Sequence, residues 1–461
     1  MSKGILICLC LTLAGCTLIP AYHRPASPVP PRYLNMSPSA MVEKAKTSDI
    51  GWQGFFKDPR LRKLIELALK NNRDYKVALL NVEQLRAQYR ILGYALLPTF
   101  EIDASSIEQR QLVTNNKYVK SHNYNISLNS SYELDLFGHI RSLKAQVLEQ
   151  YLATQEASRA ARISLVAAVG IQYLTERALD EQLQLLQLTL KSVESYEDLI
   201  NKSYQLGNAS ALALYESQAQ LQSIKVAIAT DERLYAQARD SLVLLVGETL
   251  PQDLPSARPL EEGDLMADLP VGLSSDLMER RPDILEAEHQ LKAANANIGV
   301  VKAAFFPSIT LTASDGTASV QLSKLFYPGT NVGMISPQIS LPLLNQTTNL
   351  ANLDAARVGK EIQVAQYEKA IQVAFKEVAD AIVARDTLNQ ELAAQRSLVQ
   401  AQQKRYDLSG LRYTQGLDNY LSVLLSQQAL YSAQENLIQV SIDRLTNLIS
   451  LYKALGGGWK E

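Results

Sequence analysis

Two stretches of this sequence, His139 to Leu206 and Gln346 to Ser409, run for 68 and 64 residues without a proline and with one glycine apiece, Gly170 and Gly359. Proline and glycine are the residues that stop helices, and these runs are rich in Ala, Leu, Gln, Glu and Ser. Each run is therefore predicted to be one helix, roughly 100 Å long at 1.5 Å per residue. No compact domain holds such an element. A run of 39 residues free of both residue types follows each, Asn208 to Val246 and Leu417 to Leu455. Gly207 and the Gly410 to Gly416 stretch are the expected turns, glycine supplying the left-handed backbone at a helix end. Apolar residues recur at 4-3 spacing, as in Leu417, Leu421 and Leu424 and again in Ile438, Ile442, Leu445, Ile449 and Tyr452, the pattern of a coiled-coil seam.

Between the helices lie segments of period two. Tyr124, Ile126, Leu128, Ser130, Tyr132, Leu134 and Leu136 alternate with Asn, Ser, Glu and Asp. Phe100, Ile102 and Ala104 alternate with Glu101, Asp103 and Ser105; Ile309, Leu311 and Ala313 with Thr310, Thr312 and Ser314; Ile335, Pro337, Ile339, Leu341 and Leu343 with mostly polar neighbours. Four strands result, each with an apolar and a wet face, which is the sequence sign of a transmembrane β-barrel. Four strands cannot close a barrel, and open edges do not survive in lipid, so several copies must combine. Three copies would give twelve strands and an aqueous lumen, two only eight and a filled interior.

The chain also repeats itself at an offset of 209 residues, with Asp74 matching Asp283, Pro98 matching Pro307 and Gly207 matching Gly416. Its start reads as an export signal: Lys3, an apolar run from Ile5 to Leu13, then Leu13-Ala14-Gly15-Cys16. Small residues before a cysteine are the pattern of a bacterial lipoprotein, with cleavage after Gly15 and lipid on Cys16, and the proline-rich stretch after it reads as an extended strap. The expected organisation is a signal peptide at 1–15, lipid anchor and strap at 16–59, and a first structural repeat at 60–250 with strand hairpin 99–136. A linker at 251–276, a second repeat at 277–455 with strand hairpin 308–344, and a tail at 456–461 follow.

Charge and chemistry narrow the function. With 45 Lys and Arg against 47 Asp and Glu there is no basic field for nucleic acid. The cysteines are Cys8, Cys10 and Cys16, and His23, His122, His139 and His289 lack ligand spacing, so no metal site is expected. Phosphate loops and nucleophile elbows are missing from the sequence, and the enzyme reading has no residues to rest on.

Three segments, SYELDLFGHIR from Ser131, ERRPDILEAEHQLKAANANIGVVKAAFFPSITLTAS from Glu279 and RYTQGLDNYLSVLLSQQAL from Arg412, together with the LAGC lipobox, resemble the outer-membrane efflux proteins of the TolC superfamily, in their OprM-like lipoprotein branch. The resemblance spans essentially the whole chain. It implies an α+β membrane protein, a homotrimer whose four strands per protomer build a 12-stranded outer-membrane β-barrel continued by a long periplasmic α-helical barrel. It implies the exit duct of a tripartite pump of the resistance-nodulation-division class, docked to a periplasmic adaptor and an inner-membrane transporter, with no cofactor beyond the lipid on Cys16. Protein secretion of type I and metal-ion efflux are the alternatives on the same fold. The resemblance further assigns a periplasmic gate to Asp418, at the expected start of a helix where the dipole favours a carboxylate, and to Arg405 and Tyr406, which would hold the tip shut. Thr414 stands where some relatives carry a larger apolar constriction residue, and Gly207 and Gly416 mark the two hairpin tips.

Overall fold

The computed structural model describes residues 17–30, 50–113, 117–256, 265–266, 269, 280–343 and 345–458. The helices are α1 (Trp52–Phe55), α2 (Pro59–Asn71), α3 (Arg73–Tyr94), α4 (His139–Gln205), α5 (Ala211–Val246), α6 (Pro282–Ala303), α7 (Gln346–Thr414) and α8 (Tyr420–Ala454). The strands are β1 (Thr99–Val113), β2 (Lys117–Glu133), β3 (Ser308–Ser319) and β4 (Asn331–Ser340). Helices α4 and α7 hold 67 and 69 residues. Two compact units are distinguished. One comprises Met1–Ala26, Asn81–Gln155 and Glu286–Glu368 and carries the strands; the other comprises Ser27–Leu80, Glu156–Leu285 and Lys369–Glu461 and carries both helix-hairpin tips.

In the first unit the four strands form one antiparallel sheet in the order β1-β2-β3-β4. The two hairpins expected from the sequence are thus joined, with Leu128 opposite Asp315 across β2 and β3. β2 stops at Glu133, short of Leu134 and Leu136, because Asp135 turns the chain. Its carboxylate accepts from the backbone N–H of Ile140 (3.1 Å) and Arg141 (3.0 Å) and from the Arg141 guanidinium (3.0 Å), which nucleates α4. β1 runs on to Val113, well beyond the alternation through Ser105, because Ile107 falls on the otherwise polar face and Glu108 and Arg110 on the otherwise apolar one, so no period-two signal persists. The strap from Thr17 has neither helix nor strand and lies along α6. Asn295 donates to the carbonyl of Pro20 (2.8 Å), and the buried Glu288 carboxylate receives Arg24, Lys292 (3.1 Å) and the Tyr22 hydroxyl (3.3 Å). Burial alone would raise the Glu288 carboxyl, but the hydrogen bonds from Arg24 and Lys292 outweigh it and hold it below the ordinary range.

In the second unit Trp52, Phe55 and Phe56 are buried, and the Phe55 ring stacks on Tyr452 of α8 with centroids 4.0 Å apart. Tyr452 donates its hydroxyl to the carbonyl of Ile50 (2.6 Å), and Tyr173 of α4 donates to Asp58 (2.6 Å), the residue that caps α2. The seam of α8 buries Ile442, Leu445, Ile449 and Tyr452 as the spacing predicted. Nearer the tip the spacing misleads. Leu424 is buried as expected, but Leu417 and Leu421 are exposed and Tyr420, Val423 and Gln427 are buried in their place, because the helix starts only at Tyr420.

Candidate functional site

The two hairpin tips are built alike. Gly207 (φ +78°) and Gly416 (φ +72°) take the left-handed conformation, and each closes its helix with paired backbone bonds. Gly207 N–H donates to Tyr204 (2.9 Å) and Asn208 to Ser203 (2.8 Å); Gly416 donates to Tyr413 (2.9 Å) and Leu417 to Arg412 (2.9 Å). Ser210 and Asn419 then cap α5 and α8, accepting from Ala213 and Ser422.

Two expectations are corrected here. Gly410 is not part of the turn: α7 runs through it to Thr414, and a side chain at 410 would sit 3.0 Å from the Tyr196 hydroxyl, so the glycine serves helix packing. Nor does Asp418 begin a helix. Asn419 takes the capping position, and Asp418 faces back across the turn to Arg412, at 2.6 Å from Nε and 3.1 Å from Nη2. The Arg412 hydrogen bond holds the Asp418 carboxyl below the usual carboxylate range. Arg412 itself escaped the sequence reading; an opposite charge six residues away across a glycine turn was the available signal.

Tyr406 lies half-buried in a cluster that joins the two hairpins. Its hydroxyl is 2.8 Å from the Ser192 hydroxyl on α4, and Gln427 of α8 donates to the same Ser192 oxygen (3.1 Å). Around them Ile200, Leu214, Tyr420, Val423 and Leu424 pack together with Tyr196 and Tyr413. The Tyr196 and Tyr420 rings lie 6.0 Å apart and those of Tyr413 and Tyr420 5.9 Å, edge-on. Burial, then the neighbouring Tyr406, pushes the Tyr196 phenol up to about 12, and burial followed by the adjacent tyrosines does the same to Tyr420. Arg405 is exposed beside this cluster, its side chain making no hydrogen bond among the described residues. Thr414 donates to the carbonyl of Leu411 (2.9 Å) and ends the helix. Cys16 lies outside the described residues.

The sheet supplies the second element. Leu134 N–H donates to Ile309 (2.8 Å) and Ala318 N–H to Thr330 (2.9 Å). Bonded pairs alternate along an antiparallel ladder, so the free backbone groups fall on the even residues of β1 and the odd residues of β4. Those residues are Phe100, Ile102 and Ala104 on one edge, Ile335, Pro337 and Ile339 on the other. The missing N–H of Pro337 thus faces the open edge and leaves the β3 ladder whole. On the opposite face Asn129 donates to Asp103 (2.5 Å).

The model of the outer membrane efflux protein family matches residues 64–248 and 273–457. The chain belongs to that family. It is 44% identical over 457 residues to the toluene efflux pump outer membrane protein TtgC of Pseudomonas putida, covering 97% of this chain and 94% of that one. It is 38% identical to the cation efflux system protein CusC of Escherichia coli O157:H7, covering 100% and 99%. Among solved structures it resembles the open state of the MtrE outer membrane channel of Neisseria gonorrhoeae, with a TM-score of 0.89, 40% identity and coverage of 96% and 99%. Family membership places the chain in the outer membrane and periplasm of a Gram-negative bacterium and makes it an efflux channel, as its sequence resemblance implied.

Proposed function

We infer that this chain is one third of a closed outer-membrane duct, the exit channel of a tripartite pump of the resistance-nodulation-division class. The observation that carries the reading is the pair of open strand edges. With four strands, β1 and β4 are antiparallel to each other, so copies add edge to edge without reversal. The free backbone groups on both edges belong to residues of the apolar face, so pairing them continues one apolar outer surface and one polar inner surface. Three copies give twelve strands, and the family model matching two segments displaced by 209 residues supports an internal duplication as the source of the two hairpins.

At the tips, the Tyr406–Ser192–Gln427 cluster ties one hairpin to the other and supports the assignment of Tyr406, with Arg405 beside it, to the resting gate. The adaptor and the inner-membrane transporter would supply the binding energy that shifts the tips to open. Thr414, small and hydrogen-bonded to its own helix, contributes little constriction. Cys16 carries lipid, and no cofactor takes part. Organic molecules are the favoured cargo, since the toluene and antibiotic pump relatives stand at 44% identity against 38% for the cation system protein.

Deleting the gene from its host should raise retention of a fluorescent hydrophobic amine and lower the inhibitory concentration of toluene, with both restored by re-expression. Unchanged retention with a loss of copper or silver tolerance would replace this reading by metal efflux.

A further inference from the structure

The apolar face of the β1–β2 hairpin turns charged near its far end, one pair before the last. Down the same face the paired residues run Phe100 with Ser130, Ile102 with Leu128, Ala104 with Ile126, Ser106 with Tyr124, Glu108 with His122, Arg110 with Lys120 and last Leu112 with Tyr118. From Phe100 to Arg110 is about 34 Å of strand. At a tilt near 40° that is roughly 26 Å of height, which matches the apolar band of an outer-membrane barrel at about 25 Å. All four strands join helices at the Phe100 end. Arg110 and Lys120 therefore stand at the outer boundary, facing lipid.

Their pairing is unfavourable as it stands. Two cations lie directly opposite each other in a pair without mutual backbone bonds, where side chains come closest. Glu108 compensates one of them, at 3.2 Å from the Lys120 ammonium. Arg110 has no carboxylate partner among the described residues; its guanidinium carbon lies over the Tyr118 ring, 4.2 Å from the centroid. An aromatic-backed guanidinium beside an ammonium, both exposed at headgroup height, is a phosphate-binding arrangement.

We propose that Arg110 and Lys120 bind the phosphate of an outer-leaflet glycolipid headgroup, one site per protomer on the outside of the barrel. The site rests on the closed-barrel reading, which turns this face outward. A phosphate group offered between the two cations replaces their repulsion with two charge-assisted bonds. The lipid thereby fixes the height of the barrel in the membrane.

The test is native mass spectrometry of the full-length protein with bisphosphorylated lipid A, dephosphorylated lipid A or inorganic phosphate as probe. The parent should retain the bisphosphorylated lipid, and Arg110→Ser with Lys120→Ser should lower its affinity at least about a hundredfold, the loss of both charged hydrogen bonds. The exchange Arg110→Lys with Lys120→Arg should keep it, which separates a charge effect from misfolding. Equal retention by the double serine variant, or equal binding of dephosphorylated lipid A by the parent, would overturn the proposal, as would inorganic phosphate competing at equimolar concentration. The oligomer mass of the parent is read in the same spectrum, and failure to find a trimer would refute the barrel reading instead.

Discussion

Replacing Tyr406 with Phe removes one hydroxyl and keeps the ring that packs beside Ile200 and Tyr420. The lost interaction is the 2.8 Å bond to Ser192, between α7 and α4. A neutral hydrogen bond in a half-buried site contributes about 1 kcal/mol net. Ser192 keeps Gln427 as a donor and is not stranded, while the Tyr196 hydroxyl, which also interacts with Tyr406, loses a partner and makes the figure a lower bound. If the three tips open together, the resting barrier falls by about 3 kcal/mol, which is roughly a hundredfold in open probability. Planar-bilayer recordings at fixed voltage read this directly, with Tyr413→Phe as the control, since the Tyr413 hydroxyl makes no hydrogen bond among the described residues. A resting open probability of Tyr406→Phe within about threefold of the parent, in trimers of parental stability, would refute the assignment of the gate to this cluster.

The Asp418–Arg412 pair is neutral, so each partner should reveal the other when removed. Arg412→Ala should shift reversal potentials towards cation preference and Asp418→Ala towards anion preference. Because the Arg412 bond is what depresses the Asp418 carboxyl, the cation preference of Arg412→Ala should disappear on acidification at a higher pH than the parent's Asp418 titrates. Leu128→Arg on the apolar face should cost about 2 to 4 kcal/mol in barrel stability, measured by urea unfolding in lipid, and Asn129→Arg on the opposite face much less. Gly316→Val should abolish detergent-resistant oligomers, since a side chain there runs into the backbone of Ile126 and Ser127, whereas Gly359→Ala meets nothing and should stabilise α7 by about 0.5 to 1 kcal/mol. Cys16→Ala should remove lipid labelling while leaving assembly intact.

The long helices were legible because α4 begins at His139 and α7 at Gln346, the residues directly after Gly138 and Asn345, and ordinary capping chemistry ended them. The strand faces were legible where alternation was clean. Beyond Ser105 the alternation is lost, with Ile107 on the otherwise wet face and Glu108 and Arg110 on the otherwise apolar one, and only pairing with β2 makes these residues a strand. Gly410 looked like a turn since glycine is a helix breaker by propensity, yet tertiary packing against Tyr196 decides its place. The hairpin tip was legible as a region and not as contacts. Asp418 drew attention as a carboxylate by a helix, but its partner Arg412 and the Ser192 that meets Tyr406 come from turn geometry and from a helix 214 residues away, which no local pattern encodes.

The central claim is that the open edges of β1 and β4 are closed by two further copies of the same chain. Native mass spectrometry of protein released from outer-membrane vesicles into mild detergent tests it most directly. A single species of three chains is expected, stable until the detergent denatures the strands. Monomers or dimers alone, under conditions that leave the sheet intact by circular dichroism, would contradict it.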